Sequence, residues 1–237
     1  MDNLEKFSRE SVEINSASFA KSFVSNVFSY MTLALAISGG AAYWFASSGL
    51  IEQLFTGSRI LLWVVMLAPL GMVLIMTFAF NKLSVNALLA LFIAYSLVNG
   101  ISLSTIFLIY AGAVIAKVFF ITAGLFATMA IIGYTTKTDL TKLGSILMMA
   151  LIGVIIASLV NMFMQSAAFD YLISCVGVLV FTGLVAYDTQ KIKRIGAGVE
   201  YGTAEAGKLA VMGALSLYLD FINLFLFLLR IFGGRRD

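Results

Sequence analysis

The sequence predicts an all-α integral membrane protein, a seven-transmembrane-helix bundle. Three observations carry that reading. The 237 residues are 61% hydrophobic and 11% charged, with mean hydropathy +1.02. A soluble domain is about 45–50% apolar and about 25% charged. Six stretches hold no Asp, Glu, Lys or Arg: 22–51, 60–81, 83–116, 118–136, 143–169 and 171–187. A seventh, 209–229, is interrupted only by Asp220. This composition excludes an ordinary soluble globular protein, a disordered chain and a nucleic-acid binder. The excess of 15 basic over 12 acidic residues is too small for a nucleic-acid footprint.

A bilayer core of ~30 Å needs about 20 apolar residues at 1.5 Å rise each. The stretches therefore read as spans over 22–50, 60–81, 84–112, 117–136, 143–168, 171–190 and 209–232. Together they form one transmembrane domain over 22–232. The breaks between most of them are short, so neighbouring spans run antiparallel. The seventh must absorb its aspartate. Asp at a helix centre costs roughly 2.5–3.5 kcal/mol of insertion, while each Leu, Ile, Val or Phe contributes roughly −0.3 to −0.6. Residues 209–232 hold 15 of those four types, enough to keep the span inserted. Residues 1–21 carry four acids and three bases and show no cleavable signal pattern, so they read as a cytosolic tail. Residues 233–237 read as a C-terminal tail. The stretch 189–208 contains Gly196, Gly198, Gly202 and Gly207 and is expected to be a flexible loop.

Lys and Arg counts set the expected orientation. Ten fall on the side of the N-terminus and the even-numbered loops: Lys6, Arg9, Lys21, Lys82, Lys137, Lys142, Lys191, Lys193, Arg194 and Lys208. Five fall opposite: Arg59, Lys117, Arg230, Arg235 and Arg236. The N-terminus is expected in the cytosol.

No His is present, which removes Ser-His-Asp and Cys-His catalysis, most zinc sites and histidine haem ligation. A single Cys, Cys175, makes no internal disulfide and reads as a small buried group. Function must therefore sit in polar groups within the spans. Small residues four apart, Ala36/Gly40 and Gly153/Ala157, suit close helix approach. Asn99 and Ser102 share a face of the third span. Ser158, Asn161 and Gln165 share a face of the fifth. Such stripes either pack by hydrogen bonds or line a wet path.

Asp220 is the sharper signal. Gly213, Ser216, Asp220 and Asn223 recur at helical spacing, a polar stripe centred on a mid-span carboxylate. Ionisable residues in spans face the bundle interior or a water cavity and mark ion or proton routes. Asp188 closes the sixth span in this reading. It either pairs locally with Lys191 or meets the seventh span from the same side as Asp220. Two adjacent carboxylates do not easily both ionise, so they titrate as a unit. Oxygen donors of this kind also suit Ca²⁺.

Three segments carry a family resemblance: Gly133-Tyr-Thr-Thr-Lys-Thr-Asp-Leu140, Ala186-Tyr-Asp-Thr-Gln-Lys191 and Ala214-Leu-Ser-Leu-Tyr-Leu-Asp-Phe-Ile-Asn223. With seven spans, they resemble the Bax inhibitor-1 (transmembrane Bax inhibitor motif) family over nearly the whole chain after the tail. The resemblance implies a bundle with the seventh helix roughly central and a pH-sensitive calcium leak. It implies a paired-aspartate sensor at Asp188 and Asp220. It also implies a basic latch on the second span, whose nearest match here is Lys82. A Lys in place of an Arg weakens a bidentate latch. Asn99, Ser102, Ser158, Asn161, Ser216 and Asn223 are then candidate path-lining groups. Calcium is the transported species, with no resident cofactor or metal. The expected surroundings are a lipid bilayer, that of a bacterial cytoplasmic (inner) membrane.

Two other readings stand beside the leak. The first is a non-conducting regulator of a membrane partner, such as a membrane-bound AAA protease or a stress or cell-death factor. The second is an intramembrane aspartyl protease. Tyr187-Asp188 fits half of its motif, but Leu217-Tyr-Leu-Asp220 stands where Gly-x-Gly-Asp is required. The only Pro, Pro69, lies in Ala-Pro-Leu rather than Pro-Ala-Leu. The expectation is that the protein is not an enzyme.

Overall fold

The computed structural model describes residues 2–57, 59–200 and 202–233. All regular structure among them is helical: α1 (Asp2–Ser47), α2 (Leu50–Thr56), α3 (Arg59–Phe78), α4 (Val85–Leu103), α5 (Ile106–Ile109), α6 (Gly112–Thr135), α7 (Thr141–Met164), α8 (Ala167–Gly198) and α9 (Ala204–Phe232). Seven segments are long and apolar enough to cross a membrane: Phe19–Ser47, Ile60–Phe78, Val85–Ile109, Gly112–Thr135, Thr141–Met164, Ala167–Gly198 and Ala204–Phe232. The third joins α4 to the short α5 through a break where the Ser104 hydroxyl turns back to the Ile101 carbonyl. The tail expected from 233 onward lies almost wholly outside the described residues. So do Arg235 and Arg236 of the charge count, and nothing is described of the Lys6, Arg9 and Arg59 side chains.

α9 is the centre. It packs against α8, α1, α6 and α4, and it is the most buried of the seven spans. Leu217, Tyr218 and Leu224 are fully enclosed. Such burial on nearly every side fits a helix that is apolar all round apart from one polar stripe. α3 and α7 are the outermost spans: α3 rests on α4, and α7 rests on α8. Their large apolar side chains, such as Trp63 and Phe163, stay exposed where the hydrocarbon would lie.

The ends of the helices carry their own signals. Ser84, Ser166 and Thr203 sit at N-caps and accept from the backbone N–H of Ala87, Phe169 and Ala206. Each satisfies one amide that the first helical turn leaves free.

The flexible loop expected over 189–208 is not there. α8 continues to Gly198, α9 begins at Ala204, and only 199–203 connect them. The glycines are used for contact instead. A Cβ at Gly196 would meet the Phe23 ring of α1, and one at Gly207 would meet Val85 of α4. The helical penalty of glycine, about 0.5–1 kcal/mol, is offset by that close packing. The small residues singled out by spacing behave differently. Gly40 and Gly153 face open space. Close approach occurs at Gly100 against the Ser38 backbone, Gly133 against the Ala186 backbone, and Gly144 against the Tyr187 ring.

Candidate functional site

The polar stripe of α9 faces a cavity of about 800 Å³. α3 and α7 supply its walls, α4 and α8 its flanks, and α9 its floor. Wall residues Met66, Leu70, Met148, Ile155 and Leu159 are 44–60% exposed, so the cavity opens sideways between α3 and α7.

Asp188 and Asp220 both line it, and their carboxyl groups lie close enough to act on each other directly. Asp220 is 5% exposed, and its Oδ2 has no hydrogen-bond partner. Asp188 is half-buried. It does not close α8, because ten further helical residues follow it. Lys191, one turn on, is the cation beside both carboxyls. Of the two Asp188 alternatives read from sequence, the meeting with α9 is the one seen: Asp188 lines the cavity with Asp220, and no ion pair joins it to Lys191 among the described residues.

Asn99, Ser102, Ser158, Ser216 and Asn223 also line the cavity. Ser158 and Asn223 turn back to carbonyls of their own helices, at Val154 and Leu219. Asn161 does not join them. Its Oδ1 accepts from the Ser166 backbone N–H, beyond Gln165, which ends α7 at φ 52°. These two residues close a helix end and lie in a separate polar pocket with Asp170 and Arg230. Lys82 is not brought to the pair either. α3 stops at Phe78, and Lys82 sits exposed in the following turn, away from the cavity. In that turn Lys208 of α9 donates to the Phe80 carbonyl and lies over the Phe80 ring.

Sequence reading missed a buried node behind the stripe. Tyr218, two residues before Asp220, lies 2.7 Å from Ser38 Oγ and accepts from Asn99 Nδ2 at 2.8 Å. Ser38 in turn donates to the Ser96 carbonyl. Its available signal was Tyr218 next to a motif carboxylate, since a buried Tyr hydroxyl usually finds a partner.

The three resemblance segments are in fact neighbours. Beyond the Gly133–Ala186 contact, Gln190 Oε1 accepts from the Leu140 N–H and its Nε2 donates to the Thr138 carbonyl. Lys193 donates to the Tyr134 carbonyl, and Arg194 bonds both Asp139 and Thr141. The extension of α8 past Asp188 thus grips the α6–α7 loop. The Thr141 hydroxyl and the Arg194 guanidinium hold the Asp139 carboxyl well below the usual carboxylate range.

Known proteins resemble this chain along nearly its whole length. A family model described as inhibitor of apoptosis-promoting Bax1 matches residues 20–237. The inner membrane protein YbhL of Escherichia coli K12 is 41% identical over 234 residues, covering 98% of this chain and all of its own. An uncharacterized protein of Borreliella burgdorferi is 45% identical over 215 residues, covering 91% of this chain and 93% of its own. The uncharacterized protein RP147 of Rickettsia prowazekii is 44% identical over 220 residues, covering 91% and 90%. With seven apolar spans, a central α9 and full-length relatives, the chain is an integral membrane protein that belongs to the Bax inhibitor family.

Proposed function

We propose that this protein is a pH-sensitive calcium leak of a bacterial cytoplasmic membrane, with its N-terminus in the cytosol and its gate at Asp188 and Asp220. One observation carries the reading: two neighbouring carboxyl groups line one cavity together with the polar stripe of α9. Neighbouring carboxyls do not easily both ionise, so gain or loss of a proton remakes the α8–α9 contact. Serine hydroxyls and the amide oxygens of Asn99 and Asn223 offer the hard oxygen ligands that Ca²⁺ accepts. Lys191, rather than Lys82, is the charge beside the pair. No catalytic residue and no cofactor belong to this reading; calcium is the cargo. The membrane assignment draws on the printed name of the Escherichia coli relative, and the orientation on the Lys and Arg excess.

The test is Ca²⁺ entry into liposomes holding the purified protein, across pH 5.5–8.5, with Asp188→Asn and Asp220→Asn alongside. Protein-dependent flux whose pH response is flattened by both substitutions supports the leak. Absence of flux at every pH overturns it and leaves the regulator of a membrane partner as the better reading.

A further inference from the structure

We infer that the crevice between α3 and α7 is a binding site for an amphiphilic organic cation, with the cationic head at Asp220 and the apolar body between the two outer helices. The inference is independent of whether the protein conducts ions.

Three features of the crevice point to such a ligand. Its volume, about 800 Å³, lies within the ~300–1,000 Å³ range of small-molecule sites. Its walls are almost wholly apolar, with Met66, Leu70, Met148 and Leu159 from α3 and α7. It opens sideways, so a molecule dissolved in the hydrocarbon enters without crossing a polar layer.

Charge then selects the head group. Asp220 Oδ2 is buried, lacks a hydrogen-bond partner and belongs to a residue lining the crevice. A buried acceptor left unpaired is costly, and an ammonium group supplies both the missing donor and an opposite charge. Two carboxyls that share one proton carry a single negative charge. A monovalent cation neutralises that charge without a surplus. Lys191 lies one turn beyond Asp188 on α8, outside the crevice lining, and Arg230, which does line the crevice, sits 3.5 Å from Asp170. Arg230 is the one cation among the residues lining the crevice, and the α3 and α7 walls carry none.

The test is equilibrium binding of tritiated adamantan-1-amine to the full-length purified protein in lipid nanodiscs, in calcium-free buffer. The neutral adamantan-1-ol serves as competitor. Three variants accompany it. Asp220→Asn removes the charge. Met148→Trp fills the crevice from α7, one turn past Gly144, which abuts Tyr187 beside Asp188. Ile131→Trp places the same bulk on a lipid-exposed position outside the crevice. We expect saturable binding, weakened about tenfold or more by Asp220→Asn and by Met148→Trp, unchanged in Ile131→Trp, with the alcohol a poor competitor. Unsaturable uptake, equal competition by the alcohol, or equal binding in Met148→Trp and the parent protein would overturn the inference. Because Met148 is exposed, that variant decides the question even where Asp220→Asn does not fold.

Discussion

Tyr218 donates its hydroxyl hydrogen to Ser38 Oγ, 2.7 Å away. The direction follows from the neighbours. The Ser38 hydrogen goes to the Ser96 carbonyl, so its oxygen is left to accept. Asn99 Nδ2 donates to the other side of the Tyr218 oxygen. Asn99, Tyr218, Ser38 and the Ser96 carbonyl thus form one directed chain that ties α9 to α4 and α1. Its stability effect is measurable. Tyr218→Phe leaves the Asn99 amide without this acceptor and should cost about 1–3 kcal/mol. The check is the thermal unfolding midpoint of purified protein. In a double-mutant cycle with Asn99→Ala, the two losses should not add. An unchanged midpoint in Tyr218→Phe would show that the chain contributes nothing.

Two glycine-to-alanine substitutions should move stability in opposite directions. At Gly133 the added methyl would overlap the Ala186 backbone, which cannot swing aside as a side chain does. Gly133→Ala should destabilise by about 1–3 kcal/mol or more. At Gly153 nothing lies within 4 Å. Gly153→Ala should be stabilising by about 0.5–1 kcal/mol. Thermal midpoints in one detergent compare them directly, and a shared sign would contradict the packing described.

The grip of α8 on the α6–α7 loop should hold throughout the neutral range. The folded-state carboxyl of Asp139 lies below its ordinary 3.8. A depressed carboxylate contributes stability above its unfolded value and loses it as pH falls through the folded value. Hydrogen exchange of residues 136–142 in Asp139→Asn should therefore exceed the parent at pH 6 and 8 by the same factor. The two should converge only in strong acid. Gln190→Ala should loosen the same loop more, because it strands the Leu140 N–H and the Thr138 carbonyl together.

The aspartate pair should respond as one unit. If flux depends on the shared proton, Asp188→Asn alone should flatten its pH response nearly as far as the double variant. Liposome flux at several pH values provides the readout. Strictly additive single effects would mean that the two carboxyls act separately.

Much of this was legible in the chain. Uncharged stretches marked six spans and a stretch broken only by Asp220 marked the seventh, because hydrocarbon disfavours charge. Asp188 and Asp220 came together because α8 and α9 are consecutive antiparallel helices joined by a short connection. The α8 extension was hidden, since glycines read as loop residues unless their contacts with Phe23 and Val85 are known. Lys82 was misplaced for a similar reason: nearness along the chain said nothing of the exposed turn that holds it. Asn161 looked like part of a stripe because spacing cannot tell a cavity from a helix end. The Tyr218 node required three helices at once, which a one-dimensional pattern does not contain.

The lysines at 193 and 208 have a consequence for anyone mapping how the chain sits in the membrane. Both donate to carbonyls near the ends of other helices, at Tyr134 and Phe80, and both lie over the ring of the residue they cap. The same ammonium groups that count toward topology also hold the end of α6 and the turn that follows α3. Neutralising them to reverse the insertion would loosen that helix end and that turn as well, confounding address with architecture. Lys137 and Lys142, exposed on the same side and without such bonds among the described residues, are the cleaner positions for charge reversal.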